Sequence, residues 1–362
     1  MPSSPLDAAD LRSRVQMVVD SFLTQQEVIL NGVGCDVSPL LDSVRTLLSG
    51  GKRLRPAFCY WGWRGAAPAD QLSDPDFEES TVQAASSLEF LQGCALIHDD
   101  VMDGSDTRRG LPAAHRQFAA MHRGQQWAGG ADKFGEGAAI LLGDLCLSWA
   151  DELLLNTALP QKSLSGAKRV YNEMRTELMA GQYLDLLEQA RGGGSIERAL
   201  RVVRYKSAKY TIERPLHIGA AIAQAPQSIF DSYTGYGLPL GEAFQLRDDV
   251  LGVFGDPEVT GKPAGDDLRE GKRTVLIAIA CERADKVQSQ QIREKLGDQH
   301  LQLDDVSILR EIIENTGALA YTENLIGELL NRAIDSLSNP DLNPDAAAVL
   351  TELAHAATTR KV

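Results

Sequence analysis

Positive charge is in short supply. The 362 residues carry 36 Lys and Arg against 50 Asp and Glu, a formal charge of −14, and the pI is about 4.9. A general nucleic-acid binder needs a basic face, so that class is excluded. Unbroken apolar runs are missing as well. The longest, AAILLGDLCLSWADELLL, carries Asp144 and Asp151 and reads as a buried helix, not a membrane span. No transmembrane segment is expected, and any membrane association would be peripheral. Cysteine is sparse: five residues, at 35, 59, 94, 146 and 281, with no CxxC pair and no metal-ligand spacing. That usage points to a reducing, cytoplasmic setting in which the thiols serve as small apolar side chains. The first residues, MPSSPLDAADLRSR, lack the charged-then-apolar order of a signal peptide. Clean strand alternation, internal repeats, heptad arrays and a Ser-His-Asp-like constellation are all lacking. Period-3.6 patterns rich in Ala, Leu, Glu and Arg dominate, which predicts one all-α domain over residues 10–362 after a flexible tail at 1–9.

Against that background two acidic stretches stand out. From Leu88 to Arg109 an apolar helix, with Leu88, Leu91, Ala95 and Met102 near helical spacing, ends in Asp99, Asp100 and Asp103 and then Arg108 and Arg109. Asp99 and Asp103 lie one turn apart on one helix face, where like charges repel. A cation should offset that cost. A carboxylate-only set suits a hard divalent ion such as magnesium, which takes one or two protein carboxylates and completes its shell with water and substrate phosphate. For one such stretch alone, a solvated acidic helix end fits as well as a metal site. The second stretch, FQLRDDVLGVFGDPEVTGKPAGDDLREGKR from Phe244 to Arg273, repeats the pattern with Asp248 and Asp249. Two such helices facing each other could clamp a diphosphate through several metal ions. Basic clusters flank them: Lys52, Arg53 and Arg55; Arg108 and Arg109; Arg204, Lys206 and Lys209; Lys262, Lys272 and Arg273.

Along the chain, helices are predicted over 10–31, 38–49, 56–67, 77–103, 111–123, 137–157, 163–190, 196–224 and 227–254. Gly50 and Gly51 stop the second and let backbone approach a ligand, and Pro56 suits a first turn. Residues 68–76 and 104–114 read as loops, the stretch around GGADKFGEG, about 128–136, as a mobile loop, and GGGS at 192–195 as a break. Pro215 should kink or split its helix. The Gly-, Pro- and charge-rich 255–271 has the length and composition of a functional lid. Helices over 272–285, 289–296, 304–317, 319–337 and 344–358 complete the chain as packing.

Taken in order, GGKRLRP, DDVMD…RRG, GQYLDL, YKSAKY and FQLRDD…GK resemble the trans-isoprenyl diphosphate synthases over about residues 40 to 280, most of all bacterial geranylgeranyl diphosphate synthases of the actinobacterial kind. The resemblance implies the isoprenoid synthase helical bundle around a central cavity, and a homodimer with the central helix near its interface. It implies that Lys52, Arg55, Gln92 and Arg109 hold isopentenyl diphosphate, and that Arg108, Lys206, Ser207, Gln245, Lys262 and Lys272 contact an allylic diphosphate. Asp99 and Asp103 would ligate two magnesium ions and Asp248 a third, with Asp100, Asp185 and Asp249 supporting them; manganese can substitute. One departure is plain. The second motif of the family has an Asp where this chain has Gly252, and Asp256, Asp266 or Asp267 are candidates to replace it through water.

The implied reaction is ionisation, condensation and elimination. Charge grows on the departing diphosphate, where metal ions and fixed Arg and Lys donors lower the barrier. By family analogy the diphosphate itself takes the proton, so no protein base is needed, and His98 reads as structural or as a support behind the acids. Ala95 lies four and Cys94 five residues before Asp99, at the floor of a product cavity, and both are small. The family's short-chain members carry aromatics there, so a product of about twenty carbons is expected, limited by deeper residues such as Leu91 or Leu88. Farnesyl or longer products are the alternatives within the class. Other classes fit less well. A terpene cyclase needs an Asn/Asp–Ser/Thr–Glu motif that DDVLGVFGD lacks, and a non-catalytic partner subunit would be expected to have lost its Asp motifs.

Overall fold

The computed structural model describes residues 9–191, 195–255, 265–298 and 300–359. Helices account for almost all of it, so the all-α expectation holds. The chain opens with α1 (Leu11–Val33), α2 (Ser38–Leu48), α3 (Leu54–Ala66), the single turn α4 (Ala69–Leu72) and the central α5 (Pro75–Asp103). A two-residue hairpin, β1 (Thr107–Arg108) with β2 (Leu111–Pro112), follows. Then come α6 (Ala114–Gly124), α7 (Ala131–Leu155), α8 (Gln161–Arg191) and α9 (Ile196–Val202). A π-helical segment (Val203–Glu213) leads into α10 (Arg214–Ala223) and the long α11 (Gln227–Phe254). The remainder is α12 (Asp266–Arg269), α13 (Val275–Arg283), α14 (Lys286–Lys295), α15 (Leu303–Asn315), α16 (Ala318–Asp335) and α17 (Pro344–Thr358).

Helix α5 is the axis. Its 29 residues span about 43 Å at 1.5 Å per residue. Asp74 caps it, accepting from the backbone N–H of Asp76 at 3.0 Å and Phe77 at 3.3 Å, and Pro75 sits in the first turn, where its missing N–H costs nothing. Gly104, at φ 67°, ends it. The helix is wrapped on every side, so even Ser80, Thr81, Ser86 and Ser87 are buried. Each returns its hydroxyl to a backbone carbonyl one turn back, which satisfies the buried group without a partner helix.

The buried apolar residues form two cores, the larger of which contains α5. The larger joins α1–α3, α5, α7, α8, α10, the first half of α11 and α17. The smaller joins the second half of α11 to α9 and α13–α16. Helix α11 therefore belongs to both, and its end carries Asp248 and Asp249 between them.

Several expectations need correction. The mobile loop predicted at 128–136 is the start of α7 from Ala131 onward; a Cβ at Gly135 would overlap the His115 carbonyl and lie 3.0 Å from Ala119 Cβ. That glycine marks a close helix crossing with α6, not a flexible link. The polar loop at 104–114 contains the hairpin, whose turn residues Arg109 and Gly110 both have positive φ, 55° and 77°, as a tight two-residue hairpin turn requires. The loop at 68–76 contains the turn α4. Helix α3 begins two residues earlier than Pro56 suggested, after Arg53 in the left-handed region at φ 53°. Pro215 does not split its helix. It lies in the first turn of α10, and the irregularity precedes it as the π segment, where the Arg214 N–H reaches back five residues to Lys209. Residues 1–8, most of the glycine break at 192–195, and the 256–264 part of the expected lid lie outside the described residues. Among the described residues all five cysteines are free thiols, and no helix is long and apolar enough to cross a membrane.

Candidate active site

One cavity of about 1050 Å³ opens between α3, α5, α8, the π segment and α11. Its wall includes Lys52, Arg55, Gln92, Ala95, Asp99, Arg108, Arg109, Asp185, Lys206, Ser207, Gln245, Asp248 and Lys272. Five motifs spread over 220 residues of sequence therefore meet in one place.

The first acidic corner is made by α5, α8 and the π segment. Lys206 Nζ bridges Asp99 Oδ1 at 3.0 Å and Asp185 Oδ2 at 2.6 Å, and Gln182 Nε2 donates to the same Asp99 oxygen at 2.8 Å. Burial pushes the Asp99 carboxyl up, but Lys206, with Lys272 and Arg108 behind it, more than offsets this, and its pKa lies below the ordinary value. Asp103 lies in the field of the same Lys206 and Lys272, but burial and its acidic neighbours outweigh them. Its buried Oδ1 has no hydrogen-bond partner, and burial together with Asp99 and Asp185 raises its pKa to about 6. Lys206 is placed by backbone contact. A Cβ at Gly181 of α8 would lie 2.5 Å from Tyr205 C and 2.8 Å from Lys206 Cα, and one at Gly241 of α11 2.5 Å from Ala208 Cα. Two glycines thus let the neighbouring helices grip the π segment at its main chain.

The second corner lies at the end of α11. Asp248 faces the cavity. Asp249 is buried behind it, accepts from Gln245 Nε2 at 2.8 Å, and is pushed up to about 8 by burial, with Asp267 and Asp248 adding to the effect. Lys272 Nζ pairs with Asp267 at 3.0 Å and Glu270 at 2.6 Å. Ser105 Oγ, just past the first corner, donates to Glu270 Oε1 at 3.2 Å, which links the two corners.

The basic wall comes from the segment that starts α3. Arg55 Nη2 donates to Thr211 Oγ1 at 2.9 Å and its guanidinium lies 4.0 Å from the Tyr210 ring centroid. Arg53 is buried in an ion pair with Glu89 and also donates to the Leu48 carbonyl, so it holds the backbone that carries Lys52 and Arg55. Arg109 donates to the carbonyls of Leu47 at 2.9 Å and Gly50 at 3.0 Å.

Not every expected residue reaches the wall. Asp100 is buried beneath it and accepts from Arg108 Nε and Nη2; it fixes the arginine. Of the chain-length trio, Ala95 lines the cavity. Cys94 and Leu91 are buried off the wall, with Cys94 Sγ 3.6 Å from His98 Nδ1. The His98 Nε2 in turn lies 3.0 Å from the Ile140 carbonyl on α7, which agrees with the structural role expected for it. Within the cluster at 204–209 only Lys206 faces the site; Arg204 pairs with Glu242 and Lys209 with Glu177. Lys262 and Asp256 lie outside the described residues. Sequence reasoning missed Gln182, Tyr210, Thr211 and Glu89. Gln182 sits inside GQYLDL and Tyr210 ends YKSAKY, so motif membership was a signal for both; Glu89 carried none.

The residues fit a divalent ion. Asp99 and Asp103 share one helix face, and the orphaned Asp103 oxygen needs a cation or a donor. Among the described residues no three acidic, His or Cys side chains converge enough to enclose an ion alone, so phosphate and water oxygens would complete any shell.

An all-α bundle enclosing one deep cavity, with two acidic corners and a basic wall, is built to hold diphosphates. Residues 38–314 match the polyprenyl synthetase family. A solved structure of geranylgeranyl pyrophosphate synthase from Corynebacterium glutamicum, complexed with isoprenyl diphosphate and magnesium, superposes with a TM-score of 0.93 at 40% identity, covering 97% of this chain and 99% of that one. The geranylfarnesyl diphosphate synthase of Aeropyrum pernix is 32% identical over 86% of this chain and 91% of its own length. The (2E,6E)-farnesyl diphosphate synthase of Mycobacterium tuberculosis is 30% identical over 84% and 78%. The chain belongs to the polyprenyl synthetase family. It is a transferase, a trans-prenyl diphosphate synthase in fold and class.

Proposed function

We propose that the chain condenses isopentenyl diphosphate with an allylic diphosphate to make geranylgeranyl diphosphate, and that it does so with three magnesium ions. The observation that carries the reading is the shared cavity: Asp99, Asp185 and Asp248 of the acidic corners line it together with the basic wall, and the small side chain of Ala95 lies on the same wall. The relatives' names span farnesyl to geranylfarnesyl products, so product length rests on this chain's own wall.

The basic wall suits the diphosphate that keeps its place. Lys52, Arg55 and Arg109 meet there with Gln92, and Tyr210 and Thr211 hold Arg55 in one orientation. The acidic corners suit the diphosphate that leaves. Asp99 and Asp103 would hold two ions and Asp248 the third, with Asp185 supporting the first corner and Asp249 the second. Bound magnesium supplies neutralisation of the leaving diphosphate. Lys206, Arg108, Lys272 and, by resemblance, Lys262 add fixed positive charge where the C–O bond breaks, with Ser207 and Gln245 as neutral donors. Arg108 stays in place because Asp100 occupies its Nε and Nη2. The isopentenyl double bond then joins the allylic carbon, and the departing diphosphate accepts the proton that is lost. Phe244, Leu178 and Ala95 on the wall exclude water from the cation.

A homodimer and a cytoplasmic location belong to the same proposal. Helix α7 exposes Ile140 and Leu141, 47% and 62% accessible, on a face that a second copy would cover, and the free thiols suit a reducing compartment. The deciding experiment is product mass: purified protein with magnesium, isopentenyl diphosphate and allylic diphosphates of five, ten and fifteen carbons. Twenty-carbon product supports the reading. Shorter or longer product replaces only its chain length, and no product at all overturns it.

A further inference from the structure

The π segment is held by more than the glycines packed against it. Its last turn closes where the Arg214 N–H reaches the Lys209 carbonyl, five residues back. One carboxylate of α8 grips both ends of that turn. Glu177 Oε1 accepts from Lys209 Nζ at 2.6 Å and from Arg214 Nη2 at 2.8 Å, and Glu177 Oε2 accepts from Arg214 Nε at 2.7 Å. The neighbouring acids touch one end each: Glu213 Oε2 lies 3.4 Å from Lys209 Nζ, and Glu173 Oε2 3.4 Å from Arg214 Nη1. Burial pushes the Glu177 carboxyl up, but Arg214 and Lys209 more than offset this, and its pKa lies below the ordinary value. On an α-helix, residues five apart point about 140° from each other. A turn closed i to i+5 brings them to one side, where a single carboxylate can hold both. Lys206, Ser207, Tyr210 and Thr211 reach the cavity from this segment, whereas Glu177, Lys209 and Arg214 do not line it. Gly181, one turn along α8 from Glu177, is the residue that meets the Lys206 backbone.

We propose that Glu177 is a positioning residue for the reaction: it staples Lys209 to Arg214, holds the segment in its i to i+5 winding, and so keeps Lys206 and Ser207 on the cavity wall. The inference rests on the functional reading above for the part those two side chains play. Its physical content is rotational. One residue of helix register is about 100° of turn. If the last turn relaxed to α winding, the residues before it would rotate by about that much against α10. The Lys206 ammonium would then leave Asp99 and Asp185, which it now bridges. π winding is rare and recurs at functional sites. Here its upkeep falls to a carboxylate outside the cavity.

The test is Glu177→Gln in the full-length protein, which keeps the shape and removes the charge that holds two cations. Amide hydrogen exchange should quicken at residues 203–214 and stay unchanged in α5. Turnover should fall about 100-fold in kcat, as for a displaced catalytic group. Arg214→Gln should do the same, and Arg214→Lys, which leaves Glu177 a charged partner, should recover much of the rate. The double variant Glu177→Gln with Arg214→Gln should be no worse than either single one, because both break one contact. Folded Glu177→Gln with wild-type kcat overturns the inference, since an ion pair that only stabilises the fold would lower Tm and leave the rate alone. A loss of rate with unchanged exchange at 203–214 overturns it as well. Should Glu177→Gln not fold, Arg214→Gln gives the same two readouts. If the wild type makes no prenyl product, the functional reading falls, and hydrogen exchange by itself still decides whether Glu177 holds the winding.

Discussion

Gly181→Ala is the sharpest test of how the site is built, because it changes one methyl group outside the chemistry. The added Cβ would meet Tyr205 C at 2.5 Å and Lys206 Cα at 2.8 Å, where ordinary contact begins at 3.4 Å. It would overlap Lys206 N more closely still, so the two backbones must separate by about 1 Å. Overpacking of that kind costs about 1–3 kcal/mol. The larger effect is on Lys206, whose ammonium sits 3.0 Å from Asp99 and 2.6 Å from Asp185. A shift near 1 Å in a positioned group costs about 100-fold in rate. The assay is turnover under saturating substrates, beside chemical denaturation. Gly327→Ala is the control. It lies exposed within α16 with nothing within 4 Å of its built Cβ, so it should stabilise by about 1 kcal/mol through helix propensity and leave turnover alone. Near-normal turnover in Gly181→Ala would show that the backbone grip does not set Lys206, and the account of the π segment would fail.

Asp99→Asn or Asp103→Asn should lower turnover by orders of magnitude with helix content unchanged by circular dichroism; a normal rate in either removes its metal role. Ala95→Phe should shorten the product, read by mass, and an unaltered product would place the floor elsewhere. Arg55→Lys keeps the charge but loses the planar contact with Tyr210 and the fixed bond to Thr211, so the KM for isopentenyl diphosphate should rise about tenfold with kcat little changed. The pH dependence follows from two acids raised by burial, Asp103 to about 6 and Asp249 to about 8. In the metal-free protein each binds a proton that the unfolded chain has released, so stability falls as pH rises from about 4 toward these values. Metal must displace those protons. The rise in Tm on adding Mg²⁺ and pyrophosphate should therefore be larger at pH 8 than at pH 6, and an equal rise at both would contradict the assignment.

The sequence by itself determined the helical architecture, the two acidic stretches and the basic motifs. These signals are local: a 3.6-residue period or an Asp pair four residues apart is written in neighbouring residues. It also marked most of the wall, because the motifs name residue types that the chemistry needs. Tertiary structure alone decided how they are used. Gln182 reaches Asp99 across 83 residues and Ser105 reaches Glu270 across 165, and no local pattern encodes such distances. Gly135 read as part of a mobile loop and Gly181 as an ordinary helix position, yet each sits in a helix where another backbone passes too close for a side chain. Packing turned Ala95 to the cavity and Cys94 to His98, although both are small and adjacent. Among the described residues, the fold brought Asp267 against the bare backbone of Gly252, because only a chain returning past α11 can place a carboxylate there.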